Sequence, residues 1–157
     1  MSRATNIRLY KTLIRPVVCY GAEIWSLLEV DISKLRIFER KIVRRIYGAV
    51  FDGEIWRIRN NEEIEEILKN EDIVRFIKAG RLRWIGHVER MSADHAQKKI
   101  MISEMYGKRR RGRPRSRWID EIEKDLIKMG KRNWRTTALD RERWKVLVKK
   151  AKGHIDL

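Results

Sequence analysis

The sequence predicts an all-α protein of six to eight helices in two loosely packed clusters joined by a basic loop. Three observations carry this expectation. Apolar residues recur at steps of three, four and seven through most of the chain. Only two prolines interrupt 157 residues. Start and stop residues bracket the periodic runs, with Asp31 or Asn60 before them and Gly48 or Gly130 after. A chain of this length has room for one domain or two small helical subdomains around a modest core.

The first helix carries Ile7, Tyr10, Ile14, Val17 or Val18, Trp25 and Leu28 on its apolar face, and Pro16 should kink or break it near Arg15. Trp25, Leu28 and part of this helix are candidates for an exposed former interface. Asp31 caps a second helix with Leu35, Phe38, Ile42 and Ile46 inward and Gly48 stopping it. The opposite face holds Arg36, Arg40, Lys41, Arg44 and Arg45, readable as a solvated surface or as a nucleic-acid track. Residues 49–60 read as a loop with at most a short helical turn. Asn60 or Asn61 then caps an acidic helix, Glu62 to Lys69; residues 62–72 sum to −5, the wrong sign for a DNA-facing surface.

A longer helix is expected from about Glu71 to Met91, with Ile73, Ile77, Trp84, Val88 and Met91 inward and Gly80 and Gly86 weakening it slightly. Ser92 and Asp94 restart structure towards Met105, as a helix or, through Ile100-Met101-Ile102, a strand. Ser116 opens a helix with Trp118, Ile122 and Leu126 inward, supported by an Asp120–Lys124 pair and ended by Gly130. The last helix should run near Thr137 to Ala151, with Trp144, Leu147, Val148 and Ala151 on one side. These elements fall into three segments, 1–50, 51–105 and 106–157.

Charge points to a partner. The formal net charge is +16 and the pI about 10.4, which favours a polyanion bound with strong salt dependence. Residues 106–157 hold 18 basic and 7 acidic residues, against 20 and 15 in residues 1–105. Lys108, Arg109, Arg110, Arg111, Arg113, Arg115 and Arg117 put seven cations into ten residues with no acid. Such a run repels itself unless a polyanion, salt or water neutralises it. Within it Gly112 lets the chain lie flat and Pro114 fixes an extended backbone, so the arginines can enter a narrow minor groove. Arg81, Arg83, Lys131, Arg132 and Arg135 are expected to assist, with Trp56 or Trp134 stacking on unpaired bases as a secondary contribution.

Arg-x-Arg-Trp occurs three times, at Arg81–Trp84, Arg115–Trp118 and Arg141–Trp144, with unequal spacings of 34 and 26 residues. On a helix the first arginine can lie over the indole three residues on. One reading is a core tryptophan with arginine at its rim; the other aims an arginine pair at phosphates.

Several chemistries are excluded. The single cysteine, Cys19, lies among apolar residues, forbids an intrachain disulfide and reads as buried and inert. With His87, His95 and His154 it gives no zinc-ligand spacing. No nucleotide-binding glycine loop, zinc-protease helix or nucleophile elbow occurs. Asp120, Glu121, Glu123 and Asp125 circle a helix axis instead of converging, so no metal site or cofactor is expected. His87 reads as a structural histidine at the edge of the core. No signal peptide or membrane span is visible, which favours a soluble intracellular, nuclear protein without a membrane partner.

The chain resembles the C-terminal end of non-LTR (LINE-type) retrotransposon reverse transcriptases. The resemblance rests on Leu9-Tyr10-Lys11-Thr12-Leu13-Ile14-Arg15-Pro16 through Trp25, Arg81-Leu82-Arg83-Trp84-Ile85-Gly86-His87-Val88-Glu89-Arg90-Met91, Gly112-Arg113-Pro114-Arg115-Ser116-Arg117-Trp118-Ile119-Asp120 and Ala138-Leu139-Asp140-Arg141-Glu142-Arg143-Trp144, in that order. It implies a thumb-like segment over 1–50, a connector over 51–105 and a basic nucleic-acid-binding segment over 106–157. Met1 falls where the thumb would begin, as in a truncated element, a gene fragment or a co-opted remnant. The palm with its paired aspartates is missing from the match, so the chain is expected to bind DNA, RNA or a hybrid without catalysing, in partnership with the parent's polymerase domains. The alternatives are an interaction module whose basic run is a nuclear-import signal, and a metal-dependent nuclease relying on Asp120.

Overall fold

The computed structural model describes residues 2–69, 71–103 and 117–153. Among these residues the chain is helical apart from one two-stranded hairpin, as an all-α sequence should be.

Pro16 does not break the first rod. It lacks an N–H, so the helix would lose a hydrogen bond one turn upstream. The backbone absorbs the fault as a π turn, Tyr10–Ile14, between α1 (Arg3–Leu9) and α2 (Arg15–Val18), in which the Arg15 N–H donates to the Tyr10 carbonyl. Closing over five residues brings Tyr10 and Arg15 above one another. Both face the core, at 1% and 4% exposure; Ile14, expected inward, is 47% exposed, and of the alternatives Val17 and Val18 it is Val18 that packs on the core. Gly21 then adopts φ 69° and turns the chain through a 3-10 turn, Ala22–Ile24. Trp25 and Leu28 end on the surface.

Helix α3 (Glu29–Tyr47) begins two residues before Asp31, which lies in its first turn and not at its cap. Its buried stripe is Ile32, Glu39 and Val43, while Phe38 is exposed. The expected face is therefore rotated, and a carboxylate stands in the core. Glu39 accepts from the Tyr10 hydroxyl at 2.8 Å and from the Ile73 backbone N–H at 2.7 Å. The second bond satisfies one of the orphan amides at the start of the helix that Ile73 opens. Burial pushes the pKa values of both Tyr10 and Glu39 above their ordinary levels, making each group a weaker acid. The basic face of α3 divides. Arg36 reaches Asp72 at 3.2 Å, Arg40 reaches Glu65 at 3.4 Å, and Arg44 donates to the Arg59 carbonyl and Asn61, while Lys41 and Arg45 stay exposed.

The expected loop after α3 contains a hairpin, β1 (Val50–Phe51) paired antiparallel with β2 (Trp56–Arg57). Asp52 accepts from the N–H groups of Glu54 and Ile55, and Gly53 adopts φ 108°. Two-residue strands are too short to show a period of two. Helix α4 (Asn61–Leu68) starts with a capping box: Asn60 accepts from the Glu63 N–H, and Glu63 accepts from the Asn60 N–H.

Helix α5 (Ile73–Glu89), capped by Asp72, is the axis of the fold. Its first half joins Cys19, Ala22, Leu27 and Ile32 through Ile73, Val74 and Ile77. Its second half, Ala79, Leu82 and Ile85, packs against α7 (Trp118–Lys128), α8 (Trp134–Leu139) and α9 (Arg141–Ala151). A small third core joins Val43 to Ile64 and Leu68. The clusters are thus threaded on one helix, and the 51–105 segment supplies core to both neighbours. The basic loop expected to join them lies in residues 104–116, outside the described residues. Helix α6 (Ala96–Ile102) decides the helix-or-strand alternative, and Lys98 fastens it to Glu89 at 2.8 Å. Asp140 splits the expected last helix by capping α9, accepting from the N–H groups of Glu142 and Arg143.

Candidate nucleic-acid interface

Helices α5 and α9 pack through their apolar sides and leave beside that contact an open groove of about 470 Å³. On α5, Arg83, His87 and Arg90 follow at steps of four and three; on α9, Arg141 and Lys145 are four apart. Each set therefore forms a stripe along one side of its helix, and the two stripes wall the groove. Half-buried Trp84 lies between them, its ring centroid 5.8 Å from that of His87 at a 50° tilt. Trp144, buried, lines the groove as well, its indole N–H donating to the Leu82 carbonyl at 2.9 Å.

The lining is strongly cationic: Arg83, Arg90, Arg141 and Lys145 face one acid, Glu23. Arg90 is anchored by a 2.6 Å bond to the Ala138 carbonyl. Lys145 meets Glu142 at 3.5 Å with both side chains about three-quarters exposed, a pair that water and salt largely screen. Among the described residues, neither Arg83 nor Arg141 carries an ion pair. These two guanidinium groups are available to an external anion, and each presents a planar fork that matches a phosphate bidentately.

Arg81, expected to assist in phosphate binding, is a correction. It is 1% exposed, and its Nη2 donates to Glu121 at 2.9 Å and to the Trp118 carbonyl at 3.4 Å. Two residues along a helix reverse the side, so Arg81 faces the core while Arg83 faces solvent. The tryptophans of the second and third Arg-x-Arg-Trp copies pack against the first. Arg81 of the first lies 5.8 Å from the Trp118 ring of the second, and Trp144 of the third packs on the helix that bears the first. Trp118 further donates to the Glu23 carbonyl at 2.7 Å.

The other expected contacts scatter. Arg117, Lys131, Arg132 and Arg135 are exposed, with Arg135 over the Trp134 ring at 5.2 Å. Trp134 itself is buried at 4% and is not available for stacking on a base, whereas Trp56 is 72% exposed. Lys108, Arg109, Arg110, Arg111, Gly112, Arg113, Pro114 and Arg115 lie outside the described residues. His87, read as a core-edge residue, is exposed on the groove wall. Sequence reasoning missed Arg90 and Lys145 and raised Arg141 only within the Arg-x-Arg-Trp reading aimed at phosphates; the packing of α9 on α5 is what brings the stripes together.

Three of the four acids of α7 turn to protein partners. Asp125 pairs with Lys78 at 2.8 Å, Glu121 with Arg81, and Asp120 accepts from the Arg117 N–H. Among the described residues no group of three or more His, Cys, Asp or Glu side chains is placed to hold a metal ion, and no helix is long and apolar enough to cross a membrane. Cys19 is buried, and burial pushes its thiol up to about 11.

No protein-family model matches the chain, and no solved structure does. The chain is 26% identical over 152 residues to a transposon-derived protein of Caenorhabditis elegans that is itself uncharacterized. The match covers 92% of this chain and 54% of that relative, so the chain spans about half the length of the protein it resembles. The similarity fits an origin in a transposable element.

Proposed function

We propose that this chain binds nucleic acid through the cationic groove between α5 and α9, as the grip of a non-LTR retrotransposon reverse transcriptase whose catalytic residues lie elsewhere. The observation that carries this reading is the division of labour between Arg81 and Arg83: one neutralised inside the core, the other left open on the groove wall across from Arg141. The +16 charge, the transposon-derived relative and the resemblance of the sequence to the reverse transcriptase C-terminal region support it. The basic run 108–117 would extend the same contact along the sugar–phosphate chain.

The test is a salt titration of binding to labelled duplex DNA, duplex RNA, hybrid and single strands. Affinity should fall log-linearly between 50 and 200 mM salt, by roughly 0.9 in log slope for each phosphate contacted on duplex DNA. The Arg83→Ala, Arg141→Ala double variant should lower both the affinity and the slope. A salt-independent affinity, or a double variant that binds like the parent, would sink the proposal. Loss of nuclear entry in Arg110, Arg111, Arg113→Ala protein, with wild-type protein binding no strand, would favour the import-signal alternative instead.

A further inference from the structure

We infer that the α5–α9 groove takes a single unpaired nucleotide, with its base against Trp84 and His87 and its phosphate between Arg83 and Arg141. This rests on the nucleic-acid reading above and narrows it to a substrate class. Three properties of the groove combine to select such a ligand.

The first is size. About 470 Å³ lies within the roughly 300–1,000 Å³ of pockets that enclose a small molecule. A duplex is too wide to enter and can only rest across the rim. The second is the kind of surface offered. Trp84 is half-buried and His87 exposed, with ring centroids 5.8 Å apart, so an open aromatic platform remains on the groove wall. Aromatic platforms serve the face of a base, and in a duplex both faces are covered by neighbouring pairs. The third is the placement of charge. Arg83 adjoins Trp84 in sequence and lies one turn before His87, while Arg141 and Lys145 stand on the opposite wall. A wholly apolar groove would suit an acyl chain and a wholly basic one a bare phosphate. Cations flanking an aromatic platform match the alternation of base and phosphate along a single strand.

The same chemistry would accept a free mononucleotide, so the experiment separates the two sources. Binding is measured by tryptophan quenching and by anisotropy for a 15-nucleotide thymidine strand, an abasic strand of equal length, a 15-base-pair duplex and AMP. The expected result is an affinity for the thymidine strand about tenfold above that for the abasic strand. This preference should fall below about twofold in Trp84→Leu. It should also be reduced in His87→Ala, an exposed site whose change should leave the circular-dichroism spectrum that of the parent, which keeps the test decisive even if the Trp84 variant unfolds.

Equal, salt-dependent binding of base-bearing and abasic strands overturns the inference while leaving the proposed function standing. AMP binding as tightly as the strand overturns the assignment to a strand. Failure to bind any strand at low salt removes both readings together.

Discussion

Trp144 rests on the bare backbone of Gly86: its indole N–H reaches the Leu82 carbonyl at 2.9 Å, and a Cβ at residue 86 would overlap the ring. Propensity alone makes glycine here a weakness in α5. The packing reverses that reading, because the missing side chain is what lets α9 approach. Gly86→Ala should therefore destabilise the protein by about 2 kcal/mol, through overpacking against a buried and rigid ring. Gly80 is the control. A Cβ there meets the Cγ of Glu23 at an ordinary 3.7 Å, so Gly80→Ala should gain about 0.5–1 kcal/mol of helix propensity. Thermal denaturation of the two variants should give shifts of opposite sign.

Arg81 and Arg83 should respond to alanine in opposite ways. Arg81→Ala strips the partner from Glu121, whose side chain is 17% exposed, and should cost about 3–5 kcal/mol, as breaking buried pairs does. Arg83→Ala removes an exposed side chain and should change stability by less than about 0.5 kcal/mol while weakening nucleic-acid binding. Urea denaturation beside a binding titration reads both effects. Matching stability losses would contradict the assigned positions.

Glu39 should make stability fall as pH rises. Its folded-state pKa lies above the unfolded carboxyl value of about 4.3, so the folded protein holds the proton more tightly across that interval. The stability it contributes is complete below the unfolded value and is lost as pH climbs through the folded one. Glu39→Gln keeps an oxygen for the Ile73 N–H and an amide for the Tyr10 oxygen without a buried charge. The variant should gain on wild type as pH rises above the unfolded value of about 4.3 in urea titrations; parallel profiles would refute this. Glu63 and Asp52 act with the opposite sign. Arg57 holds Glu63 low, the Ile55 and Glu54 N–H groups hold Asp52 low, and what they add is lost as pH falls.

Cys19 should be nearly inert in the native protein. Its thiol, pushed up to about 11 by burial, is overwhelmingly protonated at pH 8. An aromatic disulfide reagent at that pH should label it promptly in 6 M urea and only slowly without denaturant. Rapid native labelling would place the residue at the surface.

Much of the fold was legible because it rests on local signals. Asn60 caps α4, Gly130 follows α7 at φ 71°, and Ile122 and Leu126 lie inward as their spacing implies. What was not legible depends on contacts distant in sequence. Glu39 enters the core because Tyr10 and Ile73 satisfy it, and no rule of hydrophobic periodicity places a carboxylate inside. The division of Arg81 from Arg83 depends on which side of α5 receives α7. The groove is not written in the sequence for a similar reason: its two walls are about sixty residues apart in the chain and meet only through the packing of α9 on α5.

The π turn at Tyr10–Ile14 has an evolutionary consequence. An extra residue is accommodated there as a bulge, so deleting one position from within it would restore an ordinary helical turn while keeping Tyr10 and Arg15 on the core side. Alignments of related transposon proteins should accordingly show one-residue gaps at this bulge and uninterrupted columns on either side.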